Sequence, residues 1–364
     1  MIIAAHIQHS KSSPSFLAAT ISQLAAQHAT TRFILFSEAT VLLQNLPANC
    51  ELILIKTKLT SSALLHFWYN YRLPTLLKKH HATLFLSENN VCSLRTPLPQ
   101  LMLLKDAGVL SPAVTQVLHK RYLKKYFPVF VNKAAACLAS TPALAQLFNG
   151  KYPGQSGKMV NIFHGLNEHY TPVTEEAQAA VIETHTEGHS YFVCECNRQN
   201  QAQMLMLLKA FSLFKKRLKS GMQLLLVNKA GENPIPDFRL YKYRNEVKLL
   251  SPTTEKEEAG WLAAAYAGIE ITSQTSNSDW GLLCMQCGVP LIATENERTM
   301  AQYAEAAIYA ASNEQVLAEQ LMLLYKDETL RNSLAGKGKA HTAPYSWQHS
   351  SSLLWQSILQ CSKD

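Results

Sequence analysis

The chain has 364 residues, 47% of them hydrophobic and 16% charged, a length that accommodates two domains of ordinary size and a composition ordinary for a water-soluble protein. No run approaches the roughly 18 to 20 apolar residues that a membrane span requires, and the start, MIIAAHIQHS, lacks the basic and apolar regions of a secretory leader and reads as a first strand. A net charge of +8 permits an anionic partner without requiring one, and eight scattered cysteines suit reduced thiols and a cytoplasmic setting better than a disulfide framework.

Residues 2–7, IIAAHI, form an expected buried parallel strand. In the turn that follows, Ser13 suits a helix N-cap and Pro14 the first helical position, with helical spacing over 16–26. Strands are expected at 32–36, 51–56 and 83–87 with helical segments between them, which argues for a parallel sheet covered by helices on both faces. Residues 118–127, LHKRYLKKYF, are basic with interleaved aromatics, read either as a solvated face or as a surface for peripheral membrane contact. A strand at 135–140 runs into a helix capped by Thr141 and Pro142, and another strand covers 159–163. Past residue 174 come strands at 190–195, 224–227 and 247–250, then a polar turn and apolar helix within 251–265. Cys194 and Cys196 share a strand face, and Cys284 and Cys287 a helix face; a structural zinc would need all four thiolates at one tetrahedral centre, and no metal is expected. There is no nucleophile elbow, Walker loop or G-x-G-x-x-G, and no nucleic-acid partner is indicated by the dispersed basic residues.

The most informative stretch is 269–294, IEITSQTSNSDWGLLCMQCGVPLIAT. It reads as strand, polar loop, short helix from Trp280 to Cys287, and strand. Ser276, Asn277, Ser278 and Asp279 are helix-starting residues, Gly288 stands where a left-handed C-terminal cap belongs, and Pro290 blocks continuation. Such a unit aims backbone N–H groups beyond the strand, as an anion site would.

This stretch resembles the family 4 (group 1) glycosyltransferases of the GT-B fold, whose pattern is E-G-F-G-L-P-x-x-E-A-M-A-C-G-x-P; Met285, Cys287, Gly288, Val289 and Pro290 are in register. The resemblance extends through HGLNEHYTPV at 164–173, LLKAF at 207–211 and the last 60-odd residues. It implies an α/β protein of two doubly wound, Rossmann-like domains facing across a cleft: an acceptor-side domain over 1–168, a donor-side domain over 169–345, and a C-terminal helix, 346–364, crossing back to the first. It further implies retaining transfer of a sugar from a nucleotide-sugar donor to a glycan or lipid-linked acceptor, with no cofactor beyond that substrate. The charged positions depart from the pattern. Thr275 and Leu283 replace the two glutamates, and Asn197 and Ala202 replace the arginine and lysine that grip the donor diphosphate. Donor phosphates are therefore expected at Arg198, Lys229, Thr275, Ser276, Asn277 and Ser278. On the acceptor side, Lys11, Ser12 and Ser13 either offer a cation and hydroxyls or simply cap a helix. Asp106, after Lys105 where the pattern has a histidine, is a candidate catalytic carboxylate or a turn residue before Gly108. His164 and Gly165 stand at the hinge, the glycine supplying an unusual backbone angle. The missing charges leave a second reading open, in which the chain is a catalytically inactive pseudo-glycosyltransferase that binds glycan or an active partner enzyme and sits, as the first reading also allows, on the inner face of the membrane.

Overall fold

The computed structural model describes residues 1–7, 15–38, 46–55, 59–88, 90–104, 110, 119–196, 201–228, 241–272 and 278–362, with the backbone alone at 201 and 202. Its strands are short and nearly wholly apolar, as strands covered on both faces must be. They are β1 (Ile2–His6), β2 (Arg32–Ser37), β3 (Cys50–Leu54), β4 (Leu84–Ser87), β5 (Gln100–Leu104), β6 (Ala136–Ala139), β7 (Met159–Asn161), β8 (Tyr191–Glu195), β9 (Gln223–Val227), β10 (Val247–Leu250), β11 (Ala267–Glu270), β12 (Leu291–Thr294) and β13 (Ala307–Ala310). They make two sheets, ordered β3-β2-β1-β4-β5-β6-β7 and β10-β9-β8-β11-β12-β13. Every pairing is parallel, for example Ala4 with Ile34 and Ile269 with Ile292.

Thirteen helices connect the strands among the described residues: α1 (Phe16–Gln27), α2 (Ser62–Phe67), α3 (Leu73–Lys79), α4 (Lys120–Lys133), α5 (Pro142–Lys151), α6 (Glu175–Thr186), α7 (Gln201–Leu218), α8 (Glu255–Ala263), α9 (Trp280–Gln286), α10 (Glu297–Tyr303), α11 (Glu314–Lys326), α12 (Glu328–Thr342) and α13 (Trp347–Cys361). None of the described helices is long and apolar enough to cross a membrane. Their starts follow side-chain capping chemistry. Thr141 accepts from the Leu144 amide with Pro142 in the first turn, and Asn296 and Thr299 form a reciprocal capping box. The first helix corrects one expectation. Its N-cap is Ser15, which accepts from the Ala18 amide, and not Ser13, which lies outside the described residues together with Pro14.

The chain divides into two compact units, 1–165 with 344–364, and 166–343. In the first, alternate residues of β1 serve opposite faces of the sheet. Ala4 joins a core with Trp68, Tyr69, Phe127 and Phe130 of the α2-to-α4 side, while Ile3 and Ala5 join one with Leu17, Ile21, Leu354 and Ile358 of α1 and α13. In the second, Phe192 and Leu224 pack under Phe211 and Phe214 of α7 and Leu317 and Leu321 of α11. On its other face α9 lies against α8 and α12. Helix α13 packs along α1, with Trp355 stacked on His28 at 3.7 Å between ring centroids and Trp347 beside Phe16.

Gly165 has a different role from the one its sequence position suggests. Among the described glycines positive φ occurs at Gly188 and Gly288, so Gly165 needs no unusual backbone angle. A Cβ there would stand 2.3 Å from Trp347 Cγ and 2.5 Å from the Trp347 backbone nitrogen. Glycine is required because the start of α13 comes so close. Gly165→Ala is expected to cost about 3 kcal/mol through overpacking, read as a lower thermal midpoint, with Gly154→Ala and Gly157→Ala, where a Cβ meets nothing within 4 Å, as comparison variants.

Candidate functional site

Open parallel sheets bind ligands beyond the C-terminal strand ends, where the strand order reverses. In the first unit that point lies between β1 and β4; in the second it lies between β8 and β11.

At the second point the chain places carboxylates. Glu270 ends β11 and is 2% exposed. Its Oε2 accepts from the Gly281 amide of α9 at 3.0 Å and from the Tyr303 hydroxyl, while Oε1 lies 2.6 Å from Arg298 Nη2 and 3.3 Å from Thr272 Oγ1. A buried carboxylate demands such company. Burial, then the neighbouring Glu270 charge, raises the Tyr303 phenol well above its ordinary range, so it stays a donor. Gly281 is fixed by the same contact, since a Cβ would meet Glu270 Oε2 at 2.6 Å. Next to it, Glu195 at the end of β8 accepts from Ser278 Oγ at 3.1 Å, and Ser278 Oγ in turn accepts from the Trp280 amide at 3.1 Å.

The helix start expected to face a ligand is thus engaged inside the protein. Asp279 is the N-cap residue but makes no side-chain cap bond; Ser278 and Glu270 take the first two amides of a seven-residue helix instead. The other end is as expected: Gly288 has φ 75° and its amide reaches the Met285 carbonyl, while Val289 reaches Cys284, a Schellman closure.

The first unit repeats the pattern. His6 ends β1, is 1% exposed, and shares a 2.7 Å hydrogen bond with the Tyr69 hydroxyl, which lies 3.0 Å from Ser87 at the end of β4. Glu88 follows, 4% exposed, and accepts from the Leu17 amide of α1 at 3.2 Å. Burial pushes the His6 imidazole down to about 3.

Of the residues singled out from the sequence, Ser278 lies at this strand-end group. Leu283 is buried inside α9. Lys11, Ser12, Ser13, Asp106, Asn197, Arg198, Lys229, Thr275, Ser276 and Asn277, and the side chain of Ala202, lie outside the described residues. His164 is half-buried at the end of the first unit's long segment, beside Gly165. Residues 120–133 form α4, but its aromatics turn inward: Tyr122, Phe127 and Phe130 are buried and Tyr126 half-buried, leaving an outward face of Lys120, Arg121, Lys124 and Lys125. Cys194, Cys196, Cys284 and Cys287 are buried free thiols, their protonated forms favoured by burial. Among the described residues no three His, Cys, Asp or Glu side chains are placed to hold a metal. The residues that sequence reasoning passed over are Glu270, Arg298, Tyr303, Glu195, His6 and Glu88. A lone glutamate ending the apolar strand AGIE was the visible signal for the first.

Neither a protein-family model nor a curated protein matches the sequence. Solved structures do. A glycosyltransferase from Rickettsia africae ESF-5 matches at 14% identity and TM-score 0.68, over 100% of this chain and 97% of that one. HepE from Anabaena in complex with UDP-glucose matches at 15% identity and TM-score 0.68, over 99% and 100%. WaaG, a glycosyltransferase involved in lipopolysaccharide biosynthesis, matches at 14% identity and TM-score 0.61, over 99% of each. The chain therefore has the GT-B fold of these glycosyltransferases.

Two outcomes follow for stability. Glu270→Ala takes the shared acceptor from the Arg298 guanidinium, the Tyr303 hydroxyl and the Gly281 amide, and is expected to cost about 3 kcal/mol in urea unfolding; Glu270→Gln, which keeps an acceptor, should cost less. His6 acts in acid with the same sign as a paired carboxylate, because its folded-state pKa is also depressed, here by burial. The unfolded chain takes up its proton as pH falls below the ordinary 6.5, whereas the folded chain refuses it until about 3. Stability from this group is complete above pH 6.5 and declines between those values, by up to about 1.4 kcal/mol per pH unit. His6→Asn should flatten that part of the pH–stability curve.

Proposed function

We propose that this chain is a divergent glycosyltransferase that moves a sugar, with retention, from a nucleotide-sugar donor to a glycan or lipid-linked acceptor. The observation that supports it is topological. β9, β8 and β11 are neighbours in the second sheet, and the order reverses between β8 and β11. In sequence, Arg198 follows the end of β8 by three residues, Lys229 follows β9 by two, and Thr275 to Ser278 begin five residues past β11. The departing diphosphate needs positive charge or aimed dipoles. With the α9 amides bound to Ser278 and Glu270, side-chain cations carry that role here, and Arg198 and Lys229 are the ones whose strand ends converge on the switch point. Asp106, following β5, is the candidate on the acceptor side. The HepE structure, which holds UDP-glucose, makes a uridine nucleotide the first donor to try.

A second reading has its own observation. Glu195 and Glu270 put carboxylates at the strand ends where a diphosphate would need the reverse sign. A chain so arranged suits a catalytically inactive subunit that binds glycan or an active glycosyltransferase. Calorimetric titration with UDP, GDP and ADP and their sugars separates the two. Under the first reading one nucleotide class binds, and Arg198→Ala with Lys229→Ala weakens it about tenfold or more, as loss of charged hydrogen bonds does. Unchanged affinity in that double variant would remove the site assignment. Silence across the whole panel would leave the inactive subunit standing.

A further inference from the structure

A polar cleft lies at the opposite end of the first sheet from its switch point. It opens where the turn after α1 enters β2 and where the chain enters the edge strand β3. Its volume is about 410 Å³, and Thr31, Arg32, Asn49 and Glu51 supply the polar part of its lining. Small-molecule sites span about 300–1,000 Å³.

The groups in the cleft are held in place by the fold. Asn49 Nδ2 donates to the carbonyls of Ala25 at 3.0 Å, His28 at 3.1 Å and Thr31 at 2.8 Å, which ties the carbonyl end of α1 to the entry of β3. With its donors spent on the protein, Asn49 has only Oδ1, an acceptor, to offer a ligand. Thr31 is 6% exposed. Its amide donates to the His28 carbonyl and its own carbonyl accepts from Asn49, yet its hydroxyl hydrogen-bonds to no described residue. A hydroxyl so buried ordinarily has a partner. Across β2 and β3, Arg32 Nη2 meets Glu51 Oε2 at 2.5 Å, and both side chains stay about half exposed. The pair is neutral as a whole. It still presents the remaining guanidinium N–H groups beside a carboxylate oxygen.

That chemistry narrows the ligand. An anion gains little from a guanidinium that already has its carboxylate, and a cation gains little from that carboxylate. A nucleobase lacks a ring face to stack on, since no residue lining the cleft is aromatic. A neutral, non-planar molecule whose groups each donate and accept meets every feature. We propose that this cleft binds a neutral hexose, free or as a unit of a glycan, with adjacent hydroxyls bridging the Arg32–Glu51 pair and another meeting Thr31 Oγ1 and Asn49 Oδ1. The cleft shares no residue with the strand-end groups described above, and it holds a sugar whether or not the chain transfers one.

The test is saturation-transfer NMR on the full chain with glucose, galactose and mannose and with the methyl glycoside of each. At least one hexose is expected to receive saturation. Thr31→Val keeps the side chain's shape and removes a hydroxyl bonded to no described residue, so it should weaken that hexose about fivefold and leave the thermal midpoint unchanged. Glu51→Ala should weaken it about tenfold. A methyl glycoside bound as well as the free sugar identifies the ligand as a unit of a glycan, and its exclusion identifies a free sugar. Silence across the panel would overturn the proposal. So would a hexose signal that persists at parental strength in both variants, which places the sugar elsewhere, or binding of inorganic phosphate or glycine that is lost in these variants while no hexose binds. Loss of nucleotide affinity on Arg198→Ala with Lys229→Ala should leave hexose binding here unchanged, so this site and the donor site fail separately.

Discussion

The buried carboxylate of Glu270 sets the terms for the second unit. A charge with 2% exposure persists only where its lone pairs are met, and here they are met by a guanidinium, a phenol, a hydroxyl and a backbone amide. Those groups come from β11 and its exit, from α9 and from α10. One side chain therefore ties three successive elements together, forbids a Cβ at Gly281, and adds to the burial that keeps Tyr303 protonated. It also decides what the helix start can offer a ligand, because an amide already bonded to a carboxylate is not available to a phosphate.

Glu88 does the corresponding work in the first unit, at the start of α1, beside the His6–Tyr69–Ser87 chain. Both sheets thus answer a helix start at the switch point with the protein's own acid. The consequence is electrostatic. At each place one amide of the helix start is already met by a carboxylate, so that part of the helix dipole is spent within the protein.

Much of the fold was legible because parallel strands and their caps are local signals. IIAAHI, SYFVCE and LIAT announce themselves as continuous apolar runs, and Thr141-Pro142 as a helix start. Three kinds of feature were not. Ser13 and Ser15 flank the same proline, and nothing local chooses between them; the structure chooses Ser15. The reason for Gly165 lies at Trp347, far along the chain, so a nearby backbone angle was the natural but incorrect inference. Glu270 was visible as a lone charge in an apolar strand, yet its partners Arg298 and Tyr303 fall in a different helix that the pattern did not link to it. The site was less legible than the fold for the same reason: a site is assembled from strand ends distant in sequence, and a strand is not.

The residues that carry the sequence resemblance are informative in what they turn out to do. Gly288 closes α9 in the left-handed region, with the Gly288 and Val289 amides returning to Met285 and Cys284. Met285 lies so close to α12 that a Cβ on Gly338 would meet its Cγ at 3.0 Å, and Cys287 is buried against the carbonyl side of α8. Each answers a requirement of packing or backbone geometry. The positions where the pattern calls for charge are those where this chain has Thr275, Leu283, Asn197 and Ala202. Leu283 shows what such a replacement does physically: it is buried in α9 and adds to the core, which a glutamate there without partners would disrupt. The match at these positions therefore reports the scaffold, and it carries no information about charge at the strand ends.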